Sequence, residues 1–215
     1  MSSDFQPKKL PRQARSRQTF DAIVEACARL LIADGYGALT TNHIAEVAGV
    51  SIGSLYEYFG DKDAVVYEVV RRTAHGFSED AARPLPAFGR VSVRTAITSW
   101  IDALFAAMRS REPLLRAIAA DVPQTIREPH ERESRVRYLE LARTAYRMAG
   151  DHVRQDRVEE VSFLLVTLVE AALTRLVLDP PDDVSPAVVV DELSCRVLEW
   201  VAPRSRARPR PSGSR

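Results

Sequence analysis

The sequence predicts an all-α protein. Apolar residues recur three and four positions apart from Phe20 to Val201, the spacing that gathers them on one side of a helix. No stretch alternates apolar and polar residues as a half-buried strand does, and no glycine-rich phosphate loop or internal repeat appears. Glycine and proline fall between the periodic segments, at Gly35, Gly37, Gly49, Pro84, Pro86, Gly89, Pro180 and Pro181, where they end one helix and precede another.

Residues 1–14, with Pro7, Pro11 and few apolar side chains, are expected to form a disordered basic arm. A first helix is expected from about Arg15 to Asp34, on Phe20, Ile23, Val24, Cys27, Leu30 and Leu31. Two short helices follow, and a fourth begins near Asp61-Lys62, carries Val65, Val66, Val69 and Val70, and ends before Pro84. Residues 84–89 are the best candidate for a boundary. Residues 92–109 set Ile97, Trp100, Ile101, Leu104, Phe105 and Met108 at helical spacing. A short helix follows Pro113, and a longer one lies near 130–149 with Tyr138, Leu141, Ala142, Ala145 and Met148 on one side. Residues 157–178 form the most apolar helix. Ser185 as cap and Pro186 in the first turn open a last helix to about Val201, and the Arg-rich stretch 203–215 is expected to be a disordered tail.

Composition agrees with this scheme without dictating it. A chain of 215 residues with 46% hydrophobic content holds one large or two small cores, and its net charge of +1 means that any nucleic-acid footprint is local. No uninterrupted apolar run reaches the roughly 18 residues of a membrane span, and Met1 to Lys9 lack a signal-peptide segment, so a cytoplasmic protein is expected. Cys27 and Cys195 read as small buried hydrophobes rather than a disulfide framework. The four histidines, His43, His75, His130 and His152, have no metal-ligand spacing, and neither metal nor cofactor is expected.

Residues 40–62 carry the most information. They read as two short helices joined by a tight turn, the second dressed in hydroxyls and aromatics: Thr40-Thr41-Asn42-His43-Ile44-Ala45-Glu46-Val47-Ala48-Gly49-Val50-Ser51-Ile52-Gly53-Ser54-Leu55-Tyr56-Glu57-Tyr58-Phe59-Gly60-Asp61-Lys62. This is how a DNA-reading helix-turn-helix looks from sequence. Thr41 is expected to cap the first of the two helices and Ser51 the second. Ile44, Val47 and Ala48 give the first an apolar side, Ala45 permits close approach, and Gly49 supplies the positive φ of the turn. Lys8, Lys9, Arg12, Arg15 and Arg17, with no acid between residues 5 and 20, suit phosphates or a minor groove, or else a solvated tail.

The run Ala48-Gly49-Val50-Ser51-x-Gly53-Ser54-Leu55-Tyr56-x-Tyr58-Phe59-x-x-Lys62 resembles the N-terminal domain of the TetR family of bacterial transcriptional regulators, over roughly residues 15–75. The resemblance implies an N-terminal three-helix DNA-binding domain (15–60), joined by helix 4 to a helical-bundle ligand-binding and dimerisation domain (61–202). It implies that Thr41, Tyr58 and Lys62 hold phosphates, that Ser51, Ile52, Ser54 and Tyr56 face the groove, and that Gly53 allows close approach to the duplex. Leu55 and Phe59 would pack against the first helix. The second helix lacks the Arg, Asn and Gln that dominate direct base readout, which leaves apolar contacts, DNA shape or the arm to carry specificity.

Helix 157–178 is apolar nearly all round. Val158, Val161, Leu165, Val169, Ala172 and Leu176 form one stripe, and Phe163, Leu164, Val166, Leu168, Leu173 and Val177 cover most of the rest. Such a helix is buried nearly all round, either between its own core and a second subunit or at the centre of a monomeric bundle. Homodimerisation is the expectation that the resemblance also implies. Thr167, Glu170 and Thr174 share one face of this helix, either solvated and paired with Arg175 or serving as the few polar groups of an apolar pocket. Trp100, Phe105, Met108, Tyr138 and Tyr146 are the candidate pocket walls, or plain core. The expected function is a non-enzymatic transcriptional regulator, a repressor released from its double-stranded DNA operator by a small molecule. The alternatives are a DNA-binding protein without a ligand pocket and a helical-bundle enzyme, for which no nucleophile–base pair stands out.

Overall fold

The computed structural model describes residues 5–203 and is helical almost throughout, with no strand among them. Its helices are α1 (Ala14–Ala38), α2 (Thr41–Ala48), α3 (Ile52–Tyr58), α4 (Lys62–Ala82), α5 (Val93–Ser110), α6 (Glu112–Asp121), α7 (Gln124–Ala149), α8 (Val158–Leu178) and α9 (Pro186–Val201). Single 3-10 turns at Leu85–Ala87 and Gly150–His152 lead into α5 and out of α7. Expectations for residues 1–4 and 204–215 lie outside the described residues.

Local chemistry explains the boundaries. Gly35, at φ 77° and ψ 167°, breaks α1 where the sequence predicts, leaving residues 36–38 as a last separate turn. Gly49 ends α2 in the left-handed region, φ 68°, which a side chain rarely adopts. Asp61 caps α4 by accepting from the Ala64 N–H at 2.8 Å. Ser185 occupies the cap position of α9 but makes no side-chain cap bond there.

One expectation about helix extent needs correction. Helix α7 starts at Gln124, six residues before the expected start, and carries Pro129 inside it. Proline so near a helix start removes only an early hydrogen bond, so the preceding turn is retained. The expected side of α7 does face the second core at Tyr138, Leu141, Ala142 and Ala145, with Met148 alone exposed, and Ile126, His130, Tyr146 and Ala149 are buried as well. Residues 5–13 are non-helical as expected, but they are tied to the body. The Lys8 N–H donates to the Tyr58 carbonyl at 2.8 Å, and the Phe5 ring lies 6.4 Å from that of Tyr67.

The buried side chains form two apolar clusters. The first gathers α1, α2, α3 and the front of α4, with Phe20 stacked on Phe59 at 4.9 Å and edge-on to Tyr58 at 5.6 Å. Ile118, Val122 and Ile126, at the α6–α7 elbow, join this same cluster. The second unites the end of α4 with α5, α7, α8 and α9. The cores therefore divide within α4, between Val70 and Ala81, rather than at its start. Helix α8 has a mean hydropathy of 2.0 over an 18-residue window, enough by length and composition to cross a bilayer. Here its Val161, Leu165, Val169, Leu173 and Leu176 face the second core.

One buried carboxylate ties α4 to α1. Glu68, 1% exposed, accepts from Arg71 at 2.6 and 2.8 Å and from Arg72 at 2.9 Å, while Arg72 also reaches Asp21 of α1 at 2.6 Å. Burial alone would raise the Glu68 pKa, but the hydrogen bonds and charges of the two arginines outweigh it and hold the carboxyl below its ordinary value. A depressed carboxylate contributes stability above its unfolded pKa, lost as pH falls through the folded one. Glu68→Ala should cost about 1–3 kcal/mol at neutral pH in urea denaturation. The deficit relative to wild type should shrink below pH 4.5, the ordinary glutamate value. A deficit independent of pH would assign the cost to lost packing instead.

Candidate nucleic-acid interface and ligand cavity

The cap of α2 is one residue from where the sequence analysis put it. Thr40, not Thr41, accepts the His43 N–H, at 3.2 Å. Thr41 is thereby the first residue of α2, and its hydroxyl lies 3.1 Å from the Tyr56 hydroxyl of α3. Ser51 caps α3 as expected, accepting from the Ser54 N–H at 3.1 Å, with the two hydroxyls 2.9 Å apart. Ile44 and Ala45 are buried between α1 and α2, but Val47, expected on the same apolar side, is exposed.

Around this turn the surface holds Ser51, Ile52, Gly53 and Tyr56, the last 44% exposed, with Thr41 and Ser54 half-buried beside them. Tyr58 is the exception among the expected DNA contacts. It is 5% exposed and its ring is edge-on to Phe20, so the ring belongs to the core. Lys62 is half-buried, donating to the Tyr36 carbonyl at 3.2 Å with its ammonium 4.4 Å from the Tyr36 ring centre. The Tyr36 hydroxyl donates to Asp63 at 2.8 Å; burial first and the Asp63 contact second push its pKa up to about 12. Lys8 belongs to the same surface, its ammonium donating to the Tyr56 carbonyl at 3.3 Å. Arg12, Arg15 and Arg17 are exposed just beyond.

Gly53 is helical, with no positive φ, and a Cβ there would meet only the Ser51 hydroxyl, at an ordinary 3.8 Å. Nothing inside the protein requires glycine at this position.

A cavity of about 300 Å³ lies behind this domain, walled by α4, α5, α6, α7 and α8. Of the expected pocket residues it brings together Trp100, Met108, Tyr138, Glu170 and Thr174. Phe105 is outside, packed on the second core with Arg109 5.9 Å from its ring. Tyr146 borders a separate void of about 30 Å³, and burial pushes its unpartnered hydroxyl up to about 12. Thr167 lies in an outer groove between α7 and α8, which Glu170 and Thr174 also border. Glu170 is exposed in the single chain, yet its apolar surroundings hold its carboxyl above the ordinary range, with Arg135 partly offsetting this.

The sequence analysis missed the polar residues that α7 brings to the wall, Arg127, His130, Glu131 and Ser134. His130 is 4% exposed, with its ring centre 4.2 Å from that of Tyr67 and its Nε2 without a partner. Burial first of all lowers its pKa, so the ring is neutral; Arg71 adds to this while Glu133, Glu68 and a hydrogen bond to the Tyr67 backbone oppose it. Burial also pushes the Cys27 thiol in α1 up to about 12, leaving it a small core hydrophobe; Cys195 in α9 is half-buried.

Residues 23–69 match the family model described as bacterial regulatory proteins, tetR family. The HTH-type transcriptional regulator HbdR of Aromatoleum sp. (strain CIB) is 32% identical over 63 residues, 29% of this chain and 28% of HbdR, so the match spans under a third of that relative. Among solved structures, a TetR-family transcriptional regulator from Mesorhizobium loti MAFF303099 superposes with a TM-score of 0.70 at 18% identity, covering 87% of this chain and 97% of that one. The flavonoid-responsive regulator FrrA gives 0.63 at 20% identity, covering 88% and 100%. The family model is thus matched over the helix-turn-helix segment, and the described chain shares the fold of solved TetR-family structures.

Proposed function

We propose that the chain is a homodimeric, cytoplasmic, ligand-responsive regulator of transcription, a repressor that leaves its operator when a small molecule fills the cavity. The observation that carries the DNA-binding part is the surface around the α2–α3 turn. Thr41 and Tyr56 pair their hydroxyls there, Ile52 and Gly53 stand exposed, and Lys8, the arm arginines and Lys62 surround them. Hydroxyls and cations of this kind position a protein on phosphates, and the exposed α3 residues are the ones left to meet base edges.

The cavity favours the ligand-responsive reading over a DNA-binding protein with a filled core, and the structural neighbour FrrA is a flavonoid-responsive regulator. Val70, Thr73, Ala74, Phe77 and Ala81 of α4 line the cavity, while Val65, Val66 and Val69 of the same helix sit in the DNA-binding core. A ligand that prefers a displaced α4 would change the separation of the two recognition helices and spoil their match to successive major grooves.

Dimerisation rests on α8 and α9. Phe163, Leu164 and Leu168 are 58%, 48% and 43% exposed on the side of α8 turned away from its core, and Val188 of α9 is exposed as well. Large apolar residues clustered on one helix face mark an interface. Leu165 and Val169, in the stripe that the sequence offered for this purpose, are buried in the subunit's own core.

Three outcomes test this reading. Lys62→Ala should weaken binding to all DNA sequences alike and flatten the salt dependence by about two units of slope per dimer; an unchanged slope with the fold intact by circular dichroism removes Lys62 from the phosphates. Gly53→Ala should leave thermal stability equal or raise it by up to about 1 kcal/mol while weakening operator binding about tenfold or more. Equal operator affinity would mean that DNA does not approach Gly53 closely. Leu168→Glu should convert a dimer to a folded monomer in light scattering at micromolar concentration, and a monomeric wild type would overturn the dimer.

A further inference from the structure

We propose that residues 5–9 form a strap that is part of the DNA-binding surface, fastened across the end of α3 by Phe5 and Lys8 so that Lys9 binds a backbone phosphate. The inference rests on the reading of the α2–α3 surface as the DNA interface, and adds to that interface a segment that precedes α1.

Two anchors hold the strap. The Phe5 ring is half-buried and packs on the first core beside Tyr67 of α4, their centres 6.4 Å apart. Lys8 serves the end of α3 twice: its N–H donates to the Tyr58 carbonyl at 2.8 Å and its ammonium to the Tyr56 carbonyl at 3.3 Å. The last carbonyls of a helix have no partner within it. In α3 the Leu55 carbonyl accepts from the Phe59 N–H, and Lys8 supplies the donors for Tyr56 and Tyr58. The same lysine sets a positive charge at the negative end of the helix dipole, which would otherwise repel a phosphate. Pro7, between the two anchors, fixes one φ and lowers the entropy lost when the segment is ordered.

Lys9 is the cation left free for DNA. It is exposed and makes no hydrogen bond or ion pair among the described residues, whereas the Lys8 ammonium is on Tyr56 and the Lys62 ammonium on Tyr36. Consecutive Cα atoms are ~3.8 Å apart, so the Lys8–Tyr58 bond keeps Lys9 within one residue of the α3 terminus. The Lys8 stem also overlies the loop between α3 and α4, where a Cβ on Gly60 would lie 3.6 Å from its Cε. A lysine on a loose tail loses conformational entropy at each phosphate contact, and one already held beside α3 loses less.

The test uses the full-length protein and two duplexes, one selected by wild type from a random pool and one unselected, with fluorescence anisotropy read across a salt series. Lys9→Ala should weaken binding to both about tenfold and flatten the salt dependence by about one unit of slope per bound subunit. Phe5→Ala leaves the net charge unchanged, yet it should lower the slope by the same amount, because the lysine is no longer held in place. Phe5→Leu, which keeps an apolar anchor, should restore the wild-type slope. The double variant Phe5→Ala/Lys9→Ala should fall no further than Lys9→Ala alone. A second readout needs no variant: the Lys8 amide of the free wild-type protein should resist hydrogen exchange, as an N–H held by Tyr58 does. A wild-type slope in Lys9→Ala would remove that lysine from the phosphates. A slope lost in Lys9→Ala but kept in Phe5→Ala, or a Lys8 amide that exchanges as fast as in an unfolded chain, would make the segment a loose tail and overturn the strap. Wild type that binds neither duplex would overturn the DNA interface itself, and the strap with it.

Discussion

Everything in this molecule hangs on α4 having to satisfy two cores at once. Over its 21 residues, about 30 Å of helix, it fills the DNA-binding core with Val65, Val66 and Val69 and then walls the cavity with Thr73, Ala74, Phe77 and Ala81. Neither core closes without it. Interiors pack as densely as organic crystals, so a helix shared between two of them moves as a unit rather than yielding in the middle. Glu68 and its two arginines fasten the front of α4 to Asp21 of α1, and the α6–α7 elbow adds Ile118, Val122 and Ile126 to the same core. The DNA-binding unit is therefore gripped from its own side and from the cavity side.

The fold was largely legible because it is written in local signals. The helical periods, Gly49 in the turn, Ser51 as cap and the break at Gly35 are each set by a few consecutive residues. What escaped depended on partners far along the chain. Thr40 and Thr41 both offer hydroxyls, and only the backbone path decides which one caps α2. Tyr56 and Tyr58 are two positions apart on a helix of seven residues, too short for a period to tell inside from outside, and contact with Phe20 from α1 settles it. His130 sat in a run of Arg and Glu around Pro129 that gives no apolar stripe. Its one sequence signal was Ile126 four residues earlier, on the same side of a helix that Pro129 seemed to preclude.

For the proposed DNA complex, affinity and specificity come from different residues. Cations at Lys8, Lys9 and the arm arginines supply a sequence-independent, salt-sensitive attraction. The α3 residues free to meet bases, Ile52, Gly53 and Tyr56, offer methyl, backbone and ring surfaces, and the exposed Glu57 is the single carboxylate of that helix. None makes the bidentate pairs with guanine or adenine that discriminate most strongly. Such a surface fits a thymine methyl or a groove of particular width, and relies on two half-sites read together.

A ligand shifts an equilibrium only by its difference in affinity for the two states, and moving a population from 1:99 to 99:1 takes roughly ten-thousand-fold. Apolar walls alone are poor at this, because burial in either state gains nearly the same free energy. A polar contact whose geometry differs between the two states is better suited, and the wall meets α4 where the His130 ring of α7 lies 4.2 Å from that of Tyr67. The same Tyr67 ring meets Phe5, three residues before Lys8, and the Lys8 N–H holds the Tyr58 carbonyl at the end of α3. Cavity wall, α4, arm and α3 are thus linked through Tyr67 and its neighbours, so the wall meets α4 where a small displacement would reach the helix-turn-helix surface.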